Sequence, residues 1–307
     1  MKKLYLKKAF GVFKRALPFL LILAVLLGVL FFPKPAQSEG EETKRVVRIW
    51  NVDTFEGGKG SRTNFLKRAA SVVERKDEGV YYLISSYTLE GAQAAFEKGE
   101  APDALSFGLG LSEYMEQSLT LPYMFAGGKT DWGCLAYPWC RGQYMLFSLI
   151  DDFEAEGSSV ISNGGNNLPL VSAALEGIEG EEHDSLSAYV EFLQGKYRYL
   201  LGTQRDYCRL VSRNASFYVK PLEEYCDLYQ YFSILSVEKE RDCLEFLNVL
   251  LSQEMQDALS QIGMYPVKGE GAKATVSVFS AGAALEELKA IAGRGDTKNL
   301  TKFLKNI

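Results

Sequence analysis

The 307-residue sequence holds a single histidine, His183, and that scarcity removes much catalytic chemistry at once. A Ser-His or Cys-His dyad would have to use this one residue, and a metal site built on a histidine pair is impossible. The five cysteines, Cys134, Cys140, Cys208, Cys226 and Cys243, form no C-x-x-C pair, so thiolates at zinc-ligand spacing are missing too. No G-x-S-x-G elbow and no phosphate-binding G-x-x-x-x-G-K-[ST] loop occurs. The adjacent carboxylates Asp151 and Asp152, or Glu181 and Glu182, read as solvated pairs with nothing to set them across a cleft. The expectation is a protein with no catalytic residue, no metal and no cofactor, which is not an enzyme.

Acidic residues are absent from the first 38 positions, which carry Lys2, Lys3, Lys7, Lys8, Lys14, Arg15 and Lys34. Residues 16–32 (ALPFLLILAVLLGVLFF) follow without a charge. A basic flank before an apolar run is an export signal whose positive end stays in the cytoplasm. The run falls between a signal-peptide core and a full membrane span, so it reads as a signal peptide or an N-terminal membrane anchor. Ala36 and Ser38 suit the −3 and −1 positions of a cleavage site. The body therefore lies outside the cytoplasm, at the cell surface. There a disulfide is allowed, with Cys134 and Cys140 the closest pair, although the odd count leaves at least one free thiol. Beyond residue 38 there remain 27 basic and 39 acidic residues, a balance of −12. So acidic a body has no footprint for nucleic acid.

Residues 39–44 form a polar linker. An apolar strand over 45–50 then ends at Trp50 and Asn51, before a loop with Gly57, Gly58 and Gly60. Ser61 caps a helix predicted over 62–76, followed by a strand over 80–85, a helix over 88–98 and a short strand over 104–107. This β-α-β-α-β alternation predicts a parallel sheet with helices on its faces, and such sheets bind ligands beyond the carboxyl ends of their strands. Later segments read as a helix over 186–193, a strand over 197–201, helices over 221–235 and 238–262, and a short helix near 281–292. The Gly58, Lys59, Gly60 run reads as a loop rather than a phosphate cradle.

Candidate binding residues cluster at three places. Trp50, Asn51 and Asp53 close the first strand. Trp139, Arg141 and Tyr144 lie in a Gly- and Pro-flanked aromatic stretch. Gln204, Arg205 and Asp206 follow an apolar strand directly. Aromatic faces stack on the apolar faces of sugar rings, while Asn, Asp and Arg hydrogen-bond hydroxyls. The Arg205 and Asp206 pair reads equally as a cleft contact or as an interlobe salt bridge.

Several stretches in order resemble the extracellular solute-binding proteins of ABC sugar importers (family 1 type). These are the strand ending in Trp50, residues 96–103 (FEKGEAPD), Tyr137, Pro138 and Trp139 with Arg141 to Tyr144, residues 192–196 (FLQGK), and the late helix with Phe246, Leu247, Gln256, Gly263 and Pro266. The resemblance implies an α/β, two-lobed, periplasmic-binding-protein-like fold with parallel-rich sheets flanked by helices and a ligand cleft between the lobes. It also implies a small-molecule solute, a sugar or oligosaccharide, and a membrane ABC permease as partner. It divides the chain into an N-terminal lobe over 45–136, a lobe-crossing segment with a reduced second lobe over 137–267, and C-terminal helices over 268–307. Members of the family are longer, and Cys140 and Arg141 stand where smaller residues are expected, which points away from a simple sugar.

Overall fold

A computed structural model describes residues 44–267 and 272–306 of the chain. The expected export segment, and all of the expected linker but Lys44, lie outside the described residues. The described residues form one compact unit.

The first half folds as its pattern dictates. Strand β1 (Arg45–Val52) leads to helix α1 (Arg62–Glu74), whose cap Ser61 accepts the Asn64 amide N–H. Strand β2 (Val80–Tyr87), helix α2 (Leu89–Glu97) capped by Thr88, and strand β3 (Ala104–Phe107) follow. The three strands are parallel, with β1 between β2 and β3. A hairpin of β4 (Lys129–Thr130) and β5 (Gly133–Cys134) precedes β6 (Tyr137–Arg141), which joins this sheet, and β7 (Tyr144–Ser148), which does not.

The remaining elements are β8 (Ser159–Asn163), α3 (Pro169–Leu175), β9 (Glu181–Asp184), α4 (Ser185–Leu193), β10 (Tyr199–Thr203), α5 (Gln204–Ser212), β11 (Tyr218–Pro221), β12 (Tyr229–Ile234), α6 (Glu240–Leu250), α7 (Gln253–Ala258), α8 (Gly282–Ala292) and α9 (Thr297–Leu304). They complete two five-stranded sheets, ordered β2-β1-β3-β12-β6 and β9-β8-β10-β7-β11. Both sheets share one plan. Three parallel strands are followed by an antiparallel fourth, β12 or β7, and then by an edge strand. The edge strand of each sheet runs on into the fourth strand of the other, so the chain crosses between lobes at 142–143 and again at 222–228.

Two sequence expectations are corrected here. The segment 221–235 is no helix: it contains the end of β11, the second crossing and β12. Every residue of β12 (YQYFSI) is buried, and a strand covered on both faces loses the alternation that marks a strand in sequence. The helix expected over 238–262 is broken at Leu251 and Ser252, where Ser252 caps α7 afresh through the Met255 amide. The first lobe is also discontinuous, because β6 and β12 belong to its sheet.

Period-2 alternation does govern the second sheet. Met145, Phe147, Val160 and Leu200 form one core with Ala188, Tyr189 and Phe192 of α4. Tyr144, Leu146, Ile161 and Leu201 face the other way and join the main core. That face is covered by α3, on which the C-terminal helices pack through Leu285, Leu288 and Leu300. The link from β7 to β8 has no helix of its own, and the C-terminal pair supplies cover instead.

Candidate ligand cleft

The crossings are tied to each other. The Gly142 amide donates to the Leu228 carbonyl at 2.6 Å and the Leu222 amide to the Tyr144 carbonyl at 3.0 Å. Beside them Asp227 is fully buried and accepts from the Tyr144 hydroxyl (2.8 Å) and the Leu168 amide (3.0 Å). Burial pushes its carboxyl up to about 6, although both hydrogen bonds pull the other way.

Above the crossings, the segment leaving β1 meets the second lobe directly. The Asn166 amide donates to the Thr54 carbonyl at 2.6 Å, and Phe55 pairs with Gly165 across the lobes. Gly165 has φ of 94°, and a Cβ there would lie 2.7 Å from the Thr54 carbonyl oxygen, so this approach requires glycine. The Gln204 side chain links three segments: its oxygen accepts from the Gln143 amide (3.0 Å), and its nitrogen donates to the Glu56 carbonyl (3.0 Å). The Glu56 carboxylate faces Arg205 at 3.3 Å and Arg209 at 3.8 Å.

Two cavities open along this contact, and both are lined by Asp53. One, of 680 Å³, lies between the glycine-containing loop 57–60, Lys59 and Arg62 on one side and Arg205, Tyr207, Cys208 and Arg209 on the other. The second, of 600 Å³, is bounded by Ser86, Tyr87, Thr88, Gly165 and Asn166.

Asp53 is held from two directions. Arg62 pairs with it at 2.8 Å, and the Asn51 amide donates to it at 3.0 Å. Asn51 is buried in a network in which its oxygen accepts from Ser106 (2.9 Å) and its nitrogen also donates to Thr63 (3.1 Å). Arg62 is 2% exposed and lies 4.3 Å over the Phe55 ring, with one nitrogen donating to the Phe55 carbonyl. Asp206 is buried beneath the cleft, where it closes a capping box on α5 with Thr203 and pairs with Arg209 at 3.1 Å. Burial raises its carboxyl to about 6.

The sequence-derived candidates thus separate. Asp53 and Arg205 line the same cavity, Gln204 spans the lobes beside them, and Arg205 pairs across the lobes with Glu56. Asn51 and Asp206 lie one layer behind. Trp50 and Trp139 are core residues and present no face to the cleft: Trp50 packs on Tyr87 and Phe96, and Trp139 is 0% exposed and stacks on Phe65 at 5.7 Å. Trp139 instead donates its indole N–H to Ser106 at 3.1 Å, joining the network that ends on Asp53. Arg141 lies over the Tyr265 ring at 5.6 Å and donates to Gln143 at 2.6 Å, while Tyr144 belongs to the crossing. Cys134 and Cys140 carry free thiols, as do the other three cysteines.

Sequence reasoning passed over Glu56, Lys59, Arg62 and Arg209. Arg62 left a signal: a cation in the first turn of a helix opposes the helix dipole and calls for a local reason.

No protein-family model matches the chain, and no curated protein matches it. Solved structures do. Iron-bound HitA from Pseudomonas aeruginosa is 14% identical, with a TM-score of 0.52 over 85% of this chain and 99% of that one. The maltodextrin binding protein MalE1 from L. casei BL23, solved without ligand, is 12% identical, with a TM-score of 0.52 over 86% of this chain and 98% of its own. The chain has the two-lobed α/β fold of these solute-binding proteins.

Proposed function

We propose that the chain is the extracytoplasmic solute-binding component of an ABC importer, capturing a small molecule between its lobes and delivering it to a membrane permease. The observation that carries this reading is the paired crossing of the chain between two lobes that meet over charged cavities. Rotation about two adjacent strands opens and closes such a cleft while each lobe moves as a rigid body. The basic flank and apolar run at the N-terminus support a body outside the membrane, where capture is needed. Work on the solute is positional, with no bond made or broken.

A carbohydrate is the ligand class implied by the sequence resemblance, with Tyr87 and Tyr207 as the aromatic side chains left at the two cavities. The abundance of arginine favours a carbohydrate or other solute that bears charge. The deciding measurement is a thermal-shift screen of the full chain against sugars, sugar acids, amino acids and inorganic ions. A ligand that binds only the folded state raises the melting temperature, by about 2.7 kcal/mol of added stability at a hundredfold excess over Kd. A melting temperature unmoved by every class would sink the reading.

A further inference from the structure

The 680 Å³ cavity carries more information than its position in a cleft. Its charged lining comprises Asp53, Lys59, Arg62, Arg205 and Arg209, four cations against one anion. This concentration stands in a chain whose net charge is −5. Two of the cations come from each lobe, and helices α1 and α5 both begin at the cavity.

Arg62 is the decisive group. Its Nε pairs with Asp53 and one terminal nitrogen donates to the Phe55 carbonyl, but the other terminal nitrogen is shut off from solvent without any acceptor. A buried guanidinium N–H without an acceptor is costly, so proteins seldom keep one unless something else satisfies it. On the opposite wall Arg205 and Arg209 share the single carboxylate of Glu56. Of the loop amides, those of Lys59 and Gly60 already donate to the Ile262 carbonyl.

Resting on the solute-binding reading above, we infer that this cavity takes an anionic solute, whose carboxylate or phosphate group is held by Arg62 and Lys59 from one lobe and by Arg205 and Arg209 from the other. A guanidinium presents its donors as a planar fork that matches two oxygens of such a group. On arrival the anion competes with Asp53 for Arg62 and with Glu56 for the two arginines of the second lobe. A neutral sugar would leave both arrangements unchanged, and a cation would meet four like charges.

The test is isothermal titration of the full chain with two sets of probes. The anionic set is inorganic phosphate, sulfate, citrate, glutamate, glucose 6-phosphate and galacturonate; the neutral set is glucose, maltose and glycerol. At least one anionic probe should bind, and its affinity should fall as ionic strength rises. Arg62→Gln should weaken that probe tenfold or more. Because Arg62 is buried and that variant can fail to fold, Lys59→Gln on the exposed loop serves as the second variant and should also weaken it severalfold. Comparing phosphate with citrate tells which oxyanion chemistry the site prefers. Binding of neutral probes alone overturns the anion assignment and leaves the solute-binding reading standing. So does anion binding that neither variant weakens. Silence of every probe in both sets overturns the two together.

Discussion

Trp139 occupies a position where local sequence and tertiary packing pull apart. Pro138, Cys140 and Gly142 around it suggest a loop, and a tryptophan on a loop invites a role in binding. Its strand β6 is indeed an edge strand, but that edge is covered: Phe65 of α1 stacks on the ring, and Gln256 of α7 donates to the Trp139 carbonyl at 2.9 Å. Nothing within a few residues of Trp139 announces this cover, which arrives from positions 65 and 256. That Asp53 and Arg205 would lie at a cavity was legible because the ends of strands in such sheets face the cleft. Trp139→Ala should accordingly destabilise the fold by about 3–5 kcal/mol, the range for deleting a large buried aromatic. It should weaken ligand binding only as far as the Ser106 and Asn51 network loosens its hold on Asp53. Urea denaturation reads the first effect, and a midpoint equal to that of the parent chain would return Trp139 to the surface.

At the scale of elements, the alternation from β1 to β3 was readable because each helix carries a cap and an apolar face and each strand ends in a turn. Strand β12 was not, since a fully buried central strand and a buried helix offer the same unbroken apolar run. The crossing beside it carries Glu223, Glu224 and Asp227, of which only Asp227 is buried. Asp227 has its pKa raised by burial from the ordinary 3.8 to about 6, so the folded state holds its proton more tightly than the unfolded chain does. The stabilisation it gives is fully present below about pH 4 and is lost as pH rises through 6. Two units correspond to roughly 3 kcal/mol. Asp206 has the same sign and the same window. Asp227→Asn should therefore shrink the loss of stability between pH 4 and pH 7 relative to the parent chain. Denaturant titrations at the two pH values make the comparison, and an identical loss in both proteins would mean that Asp227 does not titrate in this window.

At the scale of the whole molecule, the contacts between the lobes include the Phe55 and Gly165 pairing, Asn166 on the Thr54 and Leu109 carbonyls, the Gln204 bridge, and Glu56 between Arg205 and Arg209. The two lobes were implied by the resemblance to solute-binding proteins, but this latch was not legible, because most of its partners lie more than a hundred positions apart in the chain. Glu56→Ala removes the counterion that Arg205 and Arg209 share and leaves Asp206 beside Arg209. With the pair partly exposed, the loss is about 1 kcal/mol, enough to raise the open fraction severalfold. Small-angle scattering should show a larger radius of gyration for the variant. An unchanged profile would mean that the backbone pairing alone keeps the lobes together.

Strand β12 has one more consequence, for the order in which the chain is built. It lies between β3 and β6 in the middle of the first sheet, yet it is the last of the twelve strands to be made. Until residue 234 has emerged, β3 has a raw edge and β6 has no neighbour, whereas β7 to β11 already have every partner they need. The second sheet can therefore finish its pairing while the first waits, with its apolar face uncovered and an unpaired strand edge on offer to any passing chain. Contacts that close over more than a hundred residues are slow to form. A chain made from its N-terminus has its aggregation hazard concentrated in that interval, and the fourth strand of the first sheet ends it.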